Sequence, residues 1–125
     1  MANIANITPA VYNLRIPQRA SFRQEFTLPF DCSAKTVAGQ VWNDRRSRLL
    51  LQFATVWIDR AEEVPDTDPV QYKGRFRLEA DWESTRLVKS SGQWDLLVVD
   101  DTTGERDYYL EGIAVLDPGY TEAEP

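Results

Sequence analysis

At 125 residues the chain has the size of one domain, long enough to bury a single core. Four Trp, five Tyr and five Phe in a 42% apolar composition exclude global disorder, and a net charge of −6 disfavours nucleic acid, whose phosphates are bound through Lys and Arg. There is no histidine and Cys32 is the only cysteine, which removes the commonest general base, the Ser–His and Cys–His nucleophile pairs, most zinc sites and any internal disulfide.

In chain order, residues 1–9 lack a basic stretch followed by an apolar one, so no secretory signal is expected there. Residues 1–10 read as an extended arm. Its Ile4 and Ile7 are too few to form a core and are expected to lie against a neighbouring chain. Tyr12, Leu14 and Ile16 alternate with Val11, Asn13 and Arg15 in a strand that Pro17 stops. Phe22, Phe26, Leu28 and Phe30 share one parity, with Arg23, Glu25 and Thr27 on the other, which is the clearest amphipathic strand. A third strand spans 36–43, with Val37 and Val41 on one face and Trp42 on the other.

The turn that follows holds Arg45, Arg46 and Arg48, a basic cluster suited to a phosphate, to a carboxylate-rich partner surface or to plain solvation. Residues 49–59 then read as one strand with Leu49, Leu51, Phe53 and Trp57 on a face, and the acidic, proline-containing stretch 61–70 reads as a loop. Residues 74–79 return to strand, with Phe76 and Leu78 inward. Asp81 caps a short helix to about Val88, and Ser90, Ser91 and Gly92 break it. Residues 93–100 and 106–116 form a hairpin around Asp101-Thr102-Thr103-Gly104, where Gly104 supplies the positive φ. The apolar parity changes between Leu110 and Ile113, which predicts a β-bulge at Gly112.

The expected fold is therefore all-β: an antiparallel β-sandwich of about seven strands over residues 11–117 with one short helix, followed by an acidic tail, 118–125. Phe22, Phe26, Leu28, Val41, Phe53, Phe76, Trp94, Leu96 and Leu110 should be mostly buried.

Two acidic groups invite chemistry. Asp100, Asp101, Glu105 and Asp107 surround the hairpin turn, but their spacing matches no calcium loop, and a solvated turn is the simpler reading. Glu62, Glu63, Asp66 and Asp68 could supply the paired carboxylates of glycoside hydrolysis, but they lie in one proline-broken loop without fixed geometry, and a solvated loop is the simpler reading. No catalytic centre, metal or cofactor is expected. Trp42, Trp57, Trp82 and Trp94 suit a core better than a sugar platform. The run 96–99 is apolar on both parities, either as a central strand covered on both faces or because Leu97 and Val99 meet a neighbouring subunit. It is also the longest apolar run, far too short to cross a membrane.

The order of elements resembles the small β-sandwich at the N-terminus of phage baseplate-upper and tail-fibre proteins. The likeness rests on Ile16-Pro17-Gln18-Arg19-Ala20-Ser21-Phe22, on the strand and short helix of 76–88 followed by Gly92-Gln93-Trp94-Asp95-Leu96, and on Leu110-Glu111-Gly112-Ile113-Ala114-Val115-Leu116. Arg19 stands where that family usually has Gly, and no fibre extension follows Leu116, so a free-standing version is expected. The resemblance implies a virion structural protein, assembled in the host cytoplasm, that serves as an adaptor subunit of the tail, baseplate or fibre-attachment region. Its partners would be other virion proteins in a homo-oligomeric or multi-copy assembly, with neither nucleic acid nor membrane. A head decoration protein and a carbohydrate-binding sandwich are the alternatives. The expected contacts are Ile4, Ile7, Arg45, Arg46, Arg48, Leu97, Val99 and Tyr120.

Overall fold

The computed structural model describes residues 10–118, so Ile4, Ile7 and Tyr120 lie outside the described residues. Within that range nine strands and one helix follow in order: β1 (Ala10–Val11), β2 (Leu14–Pro17), β3 (Phe22–Leu28), β4 (Lys35–Trp42), β5 (Leu49–Gln52), β6 (Ala54–Glu63), β7 (Tyr72–Ala80), α1 (Trp82–Arg86), β8 (Gly92–Asp100) and β9 (Arg106–Asp117). The fold is all-β, as expected. A larger sheet runs β1-β9-β8-β4-β5, with β2 also beside β9, and a smaller sheet runs β3-β7-β6.

The two sheets enclose one core. Phe22, Leu28, Val37, Val41, Leu51, Phe53, Phe76, Leu78, Trp94 and Leu96 are buried in it, with Phe26 and Leu110 packed against its edge. Phe76 stacks on Phe26 at 5.6 Å within the smaller sheet, and Phe26 meets Trp94 of the larger sheet at 5.9 Å, so aromatic rings from both layers fill the space between the sheets. The strand parity explains this packing. In β7 the residues Gly74, Phe76 and Leu78 are buried and alternate with half-buried charged ones.

Four local expectations change. The strand predicted over 49–59 breaks at Phe53, whose N–H donates to the carbonyl of Gly39 (3.0 Å) while its ring turns into the core; there the chain leaves the larger sheet for the smaller. Leu49, set opposite the outward Trp42 by a register shift in the β4–β5 ladder, is 41% exposed. Residues 61–63, expected in a loop, continue β6, because Glu62 is held across the ladder by Lys73 (3.3 Å) and Arg75 (2.7 Å). The bulge falls between Leu96 and Leu97 of the β8–β9 ladder, where Tyr109 is the extra residue, and not at Gly112. Gly112 is instead required by a close approach of backbone, since a Cβ there would lie 2.5 Å from the carbonyl oxygen of Tyr12.

The fourth change concerns direction. The sandwich is antiparallel except at one edge, where β1 and β2 run parallel to β9. Ala10, placed in the arm by sequence, already pairs with Leu110. The indole of the buried Trp94 donates to the Tyr12 carbonyl, so this edge is tied into the core.

Candidate functional site

The two outward faces of the sandwich differ in kind. On the smaller sheet, the outward positions of β7 are charged and cross-linked to Glu25 of β3 and Glu62 of β6, while Thr27, Ala54 and Val56 are the uncharged outward positions and Ile58 is 37% exposed. Arg75 bridges Glu25 (3.2 Å) and Glu62 (2.7 Å), Lys73 reaches Glu62, and Arg77 pairs with Glu79 (2.8 Å). Such a face is adapted to water. The outward face of the larger sheet exposes more large apolar side chains, set among a few charged ones.

The register defines that face. Ala38 of β4 lies opposite Leu97 of β8, which lies opposite Tyr108 of β9, giving an apolar row across three strands. One row to one side come Thr36, Val99 and Arg106; one row to the other come Gln40, Asp95, Glu111 and Val11. Trp42, Gln93 and Ile113 form the next row, and Val115 faces out beside Arg15. Tyr108 and Ile113 are each 53% exposed, Val115 43% and Val11 72%. No described element covers this face.

A hollow of about 350 Å³ lies at its centre, flanked by Trp42 and Arg46 from the β4 side and by Arg106 and Tyr108 from β9, with Asp95 and Leu97 of β8 between. The turn after β4 aims Arg46 inward. Asn43 Oδ1 accepts from the N–H groups of Ser47 and Arg48, and Arg46 adopts φ +55°. The Arg46 guanidinium then folds back onto β8, donating to Gln93 Oε1 (3.2 Å) and Asp95 Oδ2 (3.1 Å). Burial pushes the Asp95 carboxyl above its ordinary range, Arg46 opposes this, and Glu111 adds to it. Trp42 Nε1 donates to Gln40 Oε1 (3.0 Å), which holds the indole on the same face.

Of the residues singled out by sequence, Arg46, Leu97 and Val99 come together here. Arg45 and Arg48 are exposed in the adjoining turn. The basic cluster is therefore split, with its middle member engaged with its own sheet. Tyr108, Ile113, Val115, Val11 and Trp42 were missed. The signal for three of them lay in the run Tyr108-Tyr109-Leu110: one residue there had to be supernumerary, and placing the bulge at Tyr109 turns Ile113 and Val115 outward.

Three members of the two acidic groups, Asp100, Asp101 and Glu62, have structural partners. Asp100 Oδ1 accepts from the N–H groups of Thr102 and Thr103, and its Oδ2 from Lys35 (2.9 Å), so its carboxyl is held below the usual range, chiefly by the Lys35 bond. Asp101 accepts from the Thr36 hydroxyl. Glu62 is likewise held low by Arg75 and Lys73. Among the described residues no three His, Cys, Asp or Glu side chains are grouped to hold a metal ion. Among them, too, no helix is long and apolar enough to cross a membrane. Cys32 is buried, and that burial raises its thiol pKa. Trp94 is core, Trp57 is half-buried beneath the Arg60 guanidinium at 4.5 Å, and Trp82 is 50% exposed.

No protein-family model and no curated protein matches the chain.

Proposed function

We propose that the chain is a non-enzymatic docking subunit of a phage virion, in the tail, baseplate or fibre-attachment region, and that it engages its neighbours through the outward face of the larger sheet. The observation that carries the docking role is the contrast between the two outward faces: one is dominated by linked ion pairs, the other presents Leu97 and Tyr108, and beyond the Gln40–Asp95–Glu111 row also Ile113 and Val115, as exposed apolar side chains, with Val11 beside Glu111. An aromatic at the centre of such a face is the residue type that dominates protein interfaces. The virion assignment rests on the resemblance of residues 16–22, 76–96 and 110–116 to the phage adaptor sandwich. A reaction would need a converging, activated pair of groups, and Glu62 and Asp100, one carboxylate from each acidic cluster, are instead engaged by cations and backbone N–H groups.

The test is incorporation. Tyr108→Asp changes an exposed side chain and should leave the melting temperature within a few degrees of the parent. Particles assembled with it should carry little or none of the protein, whereas parent particles carry a fixed number of copies. Wild-type incorporation of a folded Tyr108→Asp variant would refute the proposal.

A further inference from the structure

We infer that the outward face of the larger sheet packs against the same face of a second copy of this chain, across a two-fold axis lying between the sheets along the Ala38–Leu97–Tyr108 row. The inference deepens the docking reading, on which it rests, by naming the occupant.

Three observations converge on it. The first is charge. The chain carries −6, so most of its surface repels a second copy. The face in question is balanced: Arg46 and Arg106 against Asp95 and Glu111, with Arg15 paired to Asp117 at its margin (3.3 Å).

The second is the arrangement of those charges. Arg46 and Asp95 already satisfy each other, whereas Arg106 and Glu111 make no ion pair among the described residues. In the register, Arg106 stands opposite Val99 and Glu111 opposite Asp95, one outward row to either side of Leu97 and Tyr108. A two-fold axis along the central row exchanges those flanking rows. Each Arg106 is thereby set against the Glu111 of the other copy, twice per dimer, while Leu97 and Tyr108 meet their own counterparts. An isologous contact needs this self-complementarity, with an apolar centre on the axis and opposite charges at equal offsets from it. The offset is two residues, about 7 Å along the strand, small enough for the pairing to survive the roughly 30° rotation between aligned sheets.

The third is size. Five strand widths by the length of β8 give a face of about 24 Å by 30 Å, or roughly 700 Å², close to the approximately 800 Å² that each partner contributes to a stable interface. The second copy supplies the layer that the larger sheet lacks on this side.

Sedimentation of the full chain over a micromolar concentration series provides the test, combined with charge reversal. The parent should show a reversible monomer–dimer equilibrium. Arg106→Glu and Glu111→Arg should each weaken it about tenfold or more, since each replaces two attractions with two repulsions, and the double variant should return to near the parent value. Circular dichroism melts keep folding separate from association. A parent that stays monomeric throughout, or a dimer indifferent to both single reversals, would overturn the inference. The two readings also fail differently. A monomeric parent whose Tyr108→Asp variant still drops out of particles defeats the second copy and leaves the docking face intact. A charge-swappable dimer whose Tyr108→Asp variant is incorporated normally defeats the docking role and leaves the dimer.

Discussion

Gly74 sits in the middle of a strand, where glycine ordinarily weakens the sheet, and its reason is one sulfur atom. A Cβ at that position would lie 2.3 Å from Cys32 Sγ and 2.8 Å from Cys32 Cβ. The Cys32 N–H donates to the Arg60 carbonyl (2.7 Å), so the segment bearing the thiol is tied to the neighbouring strand and cannot withdraw freely. Gly74→Ala should therefore destabilise by about 1–3 kcal/mol, the usual range for overpacking a core. In a Cys32→Ala background the same change should cost clearly less, because the sulfur is gone although the Cβ remains. Urea unfolding of the four proteins measures the coupling; an identical cost in both backgrounds would mean that Cys32 is not what excludes a side chain at 74. The lone cysteine thus has a packing role, consistent with its burial.

Among the elements, α1 shows how much a local signal can achieve. Asp81 accepts from the Ser84 N–H (2.8 Å), and Thr85, one turn on, is fully buried and donates to the Ala20 carbonyl (2.8 Å). The cap bond holds the Asp81 carboxyl below its ordinary range, so its contribution to stability is present above the unfolded aspartate pKa and lost as pH falls through the folded value. Asp81→Ala should lower the melting temperature at neutral pH, with the difference closing on acidification; a gap that stays constant with pH would rule out the charged cap as its source. This helix was legible in the sequence because cap and turn lie within a few residues, and β3 was legible for the same reason, its alternation being self-contained. The break at Phe53 was not, since it depends on the Gly39 carbonyl and on a second sheet. Gly112 was legible as a special position but for the wrong cause, because the oxygen that excludes a side chain there belongs to Tyr12. Half of the proposed docking face was visible as the two-sided apolar run in β8; the half on β9 was hidden by the misplaced bulge.

At the scale of the molecule, the chain's first described strands close against its last. Removing residues 2–9 leaves β1, β2 and the Tyr12 carbonyl in place and should change the melting temperature little. Removing residues 2–13 takes away β1 and the acceptor for the Trp94 indole, and an orphaned buried donor costs about 1–3 kcal/mol beyond the lost pairing. Equal melting temperatures for the two truncations would show that this edge adds nothing to the core. The same closure orders events in time. Ile113 N–H reaches Asn13 Oδ1 across a hundred positions of sequence, whereas the β8–β9 hairpin closes over a short turn. Long closures are slow, so amide protection in β8 and β9 should precede protection in β2 during refolding. On the ribosome the asymmetry is larger still: Leu14 and Ile16 precede their partners Ala114 and Leu116 by a long stretch of chain and wait for them. Arg15 between them and Pro17 and Arg19 just after them then act as gatekeepers, guarding a nascent strand against the wrong neighbours until β9 arrives.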